Sequence, residues 1–363
     1  VLHVINGEHY AGAERVQDYL ALRLPDHGYE VSFACLKADR FGQSRQALES
    51  PLYGVTMRSR VDLRPVRQLA RLVREEGFSL VHTHNPRTAM IGGLAAAWCG
   101  IPFVHHVHTQ THVEVGGRWM SRLSAVVERR CLCVAAGLIS VSSSISRYLR
   151  DHGYARHRIW LVPNGVPSSL ELPHWRKPQG TWTLGVLALF RPRKGLEVVL
   201  RAMAKLREAG ISVRLRAVGC FETAAYEDAI RQLAAELGLT EMIDWPGFCE
   251  DVGSQLRQMD VFVLPSLLSE GMPMSILEAM SAGTTVVATR VEGVTDVIRD
   301  GENGLLAAPG DPDDLARVLA AVIRGEANGD RLRDNAHRQQ AEMFSDRSMT
   351  ANVAKVYKEV IGR

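Results

Sequence analysis

No apolar run in this 363-residue sequence approaches the ~20 residues needed to cross a bilayer, so a membrane-spanning segment is not expected. Residues 1–6 read as a buried strand with no charged segment ahead of them, which argues against a secretory leader there. Six cysteines over this length form no even framework, and Cys131 and Cys133 fall in an apolar stretch. Free thiols in a reducing cytoplasm are therefore expected rather than disulfides. The glycine-rich fingerprint of dinucleotide-binding enzymes, with its trailing acidic residue, is missing after both candidate first strands, which disfavours a dehydrogenase. Collagen-like, coiled-coil and disordered patterns are absent as well. What remains, 46% hydrophobic and 23% charged, is the composition of a soluble globular protein.

The length exceeds one ordinary core and favours two domains. A net charge of +3 conceals an asymmetry: residues 1–180 carry 22 basic against 14 acidic side chains, and the remainder 21 against 26. A basic first half suits an anionic acceptor or an anionic membrane surface, so peripheral attachment to an inner membrane face is one expectation. A solvated charged face is the commoner meaning of such a bias. No nucleic-acid partner is expected.

Short apolar runs alternate with helical patterns, the signature of a parallel sheet wrapped by helices. Strands are expected over residues 1–6, 30–36, 80–83, 103–106 and 137–141, with helices over 14–24, 66–76 and 87–98. The pattern breaks at 162–166. Residues 167–180 contain three prolines and few strand formers, which reads as a linker. Alternation then resumes, with strands over 182–189, 213–218, 261–264, 286–288 and 305–307 and helices over 196–209 and 224–237. This predicts an α/β chain of two doubly wound, Rossmann-like domains, 1–166 and 181–345, facing each other across a cleft. A closing helix within 346–363 is expected to pack back toward the first. Such sheets bind ligands outside the carboxyl ends of their strands.

One block concentrates chemistry. Residues 260–288 read strand, loop, helix, loop, strand, and within them run Glu270, Gly271, Met272, Pro273, Met274, Ser275, Ile276, Leu277 and Glu278. Proline suits a helix start because its missing N–H would have no partner there. Free N–H groups at that start, backed by the helix dipole, attract phosphate or sugar oxygens. Gly271 removes a side chain where a ligand would approach the backbone. Glu270 could accept from sugar hydroxyls and Glu278 from a ribose diol. Two glutamates alone would more simply be surface residues; the whole block, followed by Ala279 to Gly283 and an apolar strand, is not so easily dismissed.

The block closely resembles the donor-site motif of family 4 glycosyltransferases, retaining enzymes of the GT-B fold in which two glutamates flank seven residues. The resemblance continues through 293–296 and 300–305 and extends over nearly the whole chain. It implies that Glu270 contacts the transferred sugar, Glu278 the nucleotide ribose, and 271–275 supply backbone N–H groups.

Other segments fit the same reading. Arg191, Arg193 and Lys194 lie between a strand and a helix, ahead of Gly195; cations there could neutralise a departing diphosphate. The family places an arginine and a lysine here. Lys194 matches; the usual arginine position falls near Leu189, leaving Arg191 or Arg193 to serve. Gly12, after Ala11, resembles the family's glycine pair before the first helix. Among thirteen histidines, His82 and His84 could share a strand face. No carboxylate or cysteine set completes a tetrahedral site with these or with His105, His106, His108 and His112, so no metal is expected. By resemblance His108 lies near the donor sugar and His84 on the acceptor side, while His105 and His106 are most simply packing residues. Ser142 to Ser144 read as a helix cap and Asn164-Gly165 as a turn.

No carboxylate pair has retaining-glycosidase character. The resemblance implies instead that the nucleoside diphosphate leaves, the acceptor attacks from the same face, and the leaving phosphate oxygen helps remove the acceptor proton. The expected activity is hexosyl transfer from a UDP- or GDP-sugar to a glycan, lipid-linked or small-molecule hydroxyl, without a bound cofactor. Glu270→Ala and Lys194→Ala are expected to abolish transfer with the fold intact. A nucleotide-sugar 2-epimerase on the same architecture and a non-catalytic nucleotide-sugar-binding protein are the rivals. Product analysis with donor alone separates the first; degenerate cation or glutamate positions would mark the second.

Overall fold

The computed structural model describes all residues except 9, 11, 38–39, 60–61, 110–131, 133, 155–157, 170, 174, 176 and 363. Ala11, His112, Cys131 and Cys133 thus lie outside the described residues. The four described cysteines, Cys35, Cys99, Cys220 and Cys249, are free.

The chain divides into two compact units. One comprises Val1–Gly165 with Ser345–Arg363, the other Val166–Phe344. The first holds a seven-stranded sheet of β1 (Leu2–Ile5), β2 (Ser32–Cys35), β3 (Leu52–Gly54), β4 (Val81–Thr83), β5 (Phe103–Val107), β6 (Gly137–Ser140) and β7 (Ile159–Leu161). Their order is β3-β2-β1-β4-β5-β6-β7, with every pairing parallel. The central strands are buried along their whole length, because helices cover both faces and leave no solvent side for alternating polar residues.

The helix Asp346–Ile361 belongs to this first unit, where it packs beside the helix Gly12–Arg23. Its apolar face, including Met349, Val353, Val356 and Val360, is buried. Arg23 Nε donates to Asp346 at 2.7 Å, and Tyr357 is wholly buried. At Gly165 a Cβ would lie 2.1 Å from the Ser345 carbonyl oxygen, so the outgoing and returning strands of chain touch where only glycine fits.

The second unit holds β8 (Trp182–Leu187), β9 (Val213–Val218), β10 (Ile243–Gly247), β11 (Val261–Leu264), β12 (Thr285–Thr289) and β13 (Leu305–Ala307). Their order is β10-β9-β8-β11-β12-β13, again parallel throughout. The stretch 167–180, read from sequence as a linker, is tied into this unit. Trp175 packs on its core and donates to Asp260 at 3.3 Å; the buried Arg333 guanidinium lies 4.9 Å over the same indole and donates to the Pro173 carbonyl at 3.0 Å. Its prolines and polar residues mimic a loose connector, while its single tryptophan anchors it.

In both sheets the strand order reverses beside the first strand, between β1 and β4 and between β8 and β11. In doubly wound sheets, ligands bind outside the carboxyl ends of the strands at such a reversal point.

Candidate active site

β8 and β11 carry the principal constellation at the reversal point of the second sheet. After β8 the chain makes a short 3-10 turn, Pro192–Lys194, closed by Gly195 at φ +67°. A Cβ there would meet the Pro265 carbonyl oxygen at 2.2 Å, so the turn lies against the end of β11 only because residue 195 is glycine. The Leu267 N–H donates to the Arg193 carbonyl at 2.9 Å and fastens the two loops together.

After β11 come Pro265, the fully buried Ser266 and the loop bearing Glu270. Glu270, 9% exposed, accepts from Lys194 Nζ at 2.6 Å and Ser266 Oγ at 2.6 Å on one oxygen. Arg193 Nη2 approaches its other oxygen at 3.4 Å. Burial alone would push this carboxyl up; the ammonium, the hydroxyl and the guanidinium together outweigh it and hold it below its ordinary range. Burial also lowers the Lys194 ammonium from its ordinary value, with Glu270 opposing that shift and Arg193 adding to it.

The Glu270 backbone is held as firmly as its side chain. Its N–H donates to the Glu292 carbonyl at 2.9 Å, and Gly293, at φ +83°, would place a Cβ 2.1 Å from the Glu270 carbonyl oxygen. The segment after β12 is thereby pressed against the loop. The helix Met274–Ser281 follows, with Pro273 in the cap position at φ −75°. Met272, Pro273 and Met274 are buried, Gly271 and Ser275 half-buried. Glu278, further along the helix, is 8% exposed.

Arg191 does not join this group. It pairs with Glu222 at 3.6 Å, whereas Arg193 lies beside Glu270.

In the first unit Gly12 opens the helix Gly12–Arg23 after β1. His84 directly follows β4 and His108 directly follows β5; His84 Nδ1 and His108 Nε2 are hydrogen-bonded at 3.1 Å, one of the rings donating. Burial lowers His84 well below its ordinary value and His108 to about 4, so both are neutral at pH 7. His82 does share the face of His84, their ring centres 4.1 Å apart. His105 points to the other face and bonds Thr83 Oγ1 at 2.8 Å. Ser142 caps its helix, accepting from the Ile145 N–H at 3.3 Å.

Sequence reasoning missed Ser266 and Tyr357. Ser266 stands two residues past β11, a position a strand-end rule would mark. Tyr357 had no local signal: its hydroxyl reaches His3 Nε2 at 3.0 Å and His82 Nδ1 at 2.5 Å across more than 270 residues of sequence.

Each unit is thus built on an all-parallel Rossmann-like sheet, and the second carries a cation–carboxylate set at its reversal point. Residues 171–339 match the family model for Glycosyl transferases group 1 and residues 10–170 that for Glycosyltransferase Family 4. The chain is 31% identical over 317 residues to the MMP alpha-(1->4)-mannosyltransferase of Mycolicibacterium hassiacum, covering 83% of this chain and 75% of that one. Against the D-inositol 3-phosphate glycosyltransferase of Geodermatophilus obscurus the identity is 29% over 313 residues, covering 78% and 69%. The crystal structure of Anabaena Alr3699/HepE in complex with UDP-glucose superposes with a TM-score of 0.85 at 19% identity, covering 99% of both chains. The chain belongs to glycosyltransferase family 4.

Proposed function

We propose that this glycosyltransferase moves a hexose, with retention at the anomeric carbon, from a UDP- or GDP-sugar to a hydroxyl of a glycan, lipid-linked or small-molecule acceptor. The observation that carries the reading is the buried Glu270 clasped by Lys194 and Arg193 at the reversal point of the second sheet. The cations are preorganised for a diphosphate, and the carboxylate for sugar hydroxyls. Support comes from Alr3699/HepE, whose structures hold UDP and UDP-glucose, and from relatives named for mannosyl transfer and for inositol 3-phosphate glycosylation.

Without donor, Lys194 and Glu270 neutralise each other. An arriving diphosphate competes for the ammonium and the Arg193 guanidinium, and releases carboxylate lone pairs to accept from the sugar. Glu278 takes the ribose diol, and the backbone N–H groups of Gly271, Met272, Met274 and Ser275 serve the phosphates. By the family resemblance, Gly12 is assigned to the donor, His108 to the transferred sugar and His84 to the acceptor side. As the bond from the anomeric carbon to the leaving phosphate breaks, its electron pair stays on the phosphate oxygen. The acceptor oxygen bonds to that carbon from the same face, and its proton passes to the leaving oxygen. The protein contributes position and charge rather than a proton-transfer residue. With cations already in place, transfer needs no metal and survives chelation.

A thermal-shift screen against UDP, GDP, ADP, UDP-glucose and GDP-mannose tests this. A matching ligand at a hundredfold over its Kd stabilises by about 2.7 kcal/mol. No stabilisation by any nucleoside diphosphate or its sugar would refute the reading.

No helix among the described residues is long and apolar enough to cross a membrane. The helix Arg64–Glu75, however, buries Val66, Leu69, Ala70 and Val73 while exposing Arg64, Arg67, Arg71 and Arg74. Arg64 pairs with Asp62 and Arg71 with Glu75, so Arg67 and Arg74 carry the stripe's net charge; they support attachment to an anionic surface, each contributing about 1 kcal/mol near such lipids. In flotation the protein should rise with phosphatidylserine vesicles and stay behind with neutral ones; equal behaviour with both would remove the membrane from the proposal.

A further inference from the structure

Ser266 stands two residues past the end of β11, fully buried, and its hydroxyl donates to Glu270 Oε1 at 2.6 Å. The same oxygen accepts from Lys194 Nζ at 2.6 Å, while Arg193 Nη2 lies 3.4 Å from the other. These three donors differ in freedom. Lys194 and Arg193 end long stems and keep side-chain exposures of 19% and 18%, so an arriving diphosphate can draw them to itself. The serine hydroxyl has a short side chain and no exposure, so it serves Glu270 and stays there.

The backbone around Ser266 is fixed from two sides. Thr289 Oγ1, at the end of β12, donates to the Ser266 carbonyl at 2.5 Å, and Thr289 is itself fully buried. On the other side the N–H of Leu267 donates to the Arg193 carbonyl at 2.9 Å. β11 and β12 pair in register from Val261 with Thr285 to Leu264 with Ala288, so the serine and the threonine leave adjacent strand ends together. A donor carried on paired strands keeps its geometry when a ligand enters.

Sugar transfer makes one more demand on Glu270. Once the cations turn to the diphosphate, the carboxylate loses its charged partners just as it must accept from sugar hydroxyls. A buried carboxylate stripped of donors would turn away or take up a proton. Ser266 is the donor that remains. Its bond occupies one lone pair of Oε1, which fixes the rotation of the carboxylate and leaves the other lone pairs for the sugar.

We propose that Ser266 is a positioning residue for sugar transfer, holding the Glu270 carboxylate toward the donor sugar after both cations have turned to the diphosphate. This role rests on the reading that Glu270 meets the sugar, and Ser266 acts through Glu270 alone.

The test compares wild type with Ser266→Ala on UDP-glucose and GDP-mannose, with water standing in as the acceptor. Two quantities are read: kcat for release of the nucleoside diphosphate, and the Kd of free UDP or GDP by calorimetry. kcat should fall by about tenfold or more, since misplacement by about 1 Å can cost about 10²-fold. Kd should stay within about threefold, because the cations and backbone N–H groups that meet the diphosphate remain. A kcat within about twofold of wild type would overturn the role. So would kcat and Kd worsening in parallel, the mark of a loop that has merely lost its shape. Should Ser266→Ala fail to fold, Ser266→Cys decides on the same two quantities, a thiol being a weak donor. No binding of any nucleoside diphosphate by wild type sinks the sugar-transfer reading and this role with it; an unchanged kcat in the variant sinks this role alone.

Discussion

Lys194→Ala is expected to reduce sugar transfer by about 10²–10³-fold, the range for losing one preorganised electrostatic donor. It is also expected to lower stability. Glu270 is 9% exposed, and without the ammonium at 2.6 Å it keeps only the Ser266 hydroxyl and the more distant Arg193. Breaking a buried pair from one side costs about 3–5 kcal/mol because the other charge stays uncompensated. Glu270→Ala leaves Lys194 in the same position and should behave alike. The sequence-based expectation of an intact fold therefore needs the burial added: the fold remains, with a lowered melting temperature. The double variant Lys194→Met with Glu270→Gln removes both charges together and should recover most of the lost stability while remaining inactive. Turnover and chemical denaturation across this cycle separate the two effects. Wild-type turnover in Lys194→Ala would end the assignment of that residue.

Acid should unfold the first unit well before the second. Burial holds His3 and His105 down to about 3 and His108 to about 4, and keeps His82, His84 and His106 well below their ordinary value. In the unfolded chain each titrates near 6.5, the value for imidazole in solution. Between that value and the folded ones, only the unfolded chain takes up protons. Stability is thus complete above about pH 6.5 and is lost progressively as pH falls. Each such group contributes up to about 1.4 kcal/mol per pH unit. His3, His105 and His108 together give an upper slope of about 4 kcal/mol per unit, a large share of an ordinary stability of about 5–15 kcal/mol within roughly two units, and the other three act in the same direction. His337 is the described histidine of the second unit with a lowered value, burial being the main cause, so that unit should respond far less. Peptide-resolved hydrogen exchange at pH 7.5, 6.0 and 5.0, corrected for intrinsic rates, measures both units in one sample. Unchanged protection in peptides covering β1, β4 and β5 at pH 5.0 would contradict the account.

The central strands were readable because both of their faces are covered, which forces continuous apolar runs such as Val261 to Leu264. The strands that escaped notice, β3, β7 and β10, all lie at sheet edges. An edge strand is half-wet: β3 and β7 contain no fully buried residue, and β10 contains one. Mixed polarity over three to five residues then looks like a loop. The site divides along similar lines. Glu270, Glu278 and the helix start between them are local and could be read as a block. The clasp from Lys194 spans 76 residues of sequence and depends on β8 lying beside β11, which no local pattern specifies. Arg193 and Arg191 could not be told apart for the same reason, since their separate partners, Glu270 and Glu222, come from different loops. The alternation of His82 and His84 was visible. The contribution of His3 from a neighbouring strand, and the Tyr357 hydroxyl that ties it to His82, were not.

Because the first unit is made of two pieces, Val1–Gly165 and Ser345–Arg363, ribosomal synthesis cannot complete it in order. The uninterrupted Val166–Phe344 segment can collapse on its own as it emerges. The earlier-made sheet must wait, with His3 and His82 lacking their shared phenol, until Tyr357 has left the exit tunnel. Nascent chains stalled before that point would therefore present a finished nucleotide-binding-type half attached to an uncapped one, which is the form a chaperone would be expected to hold.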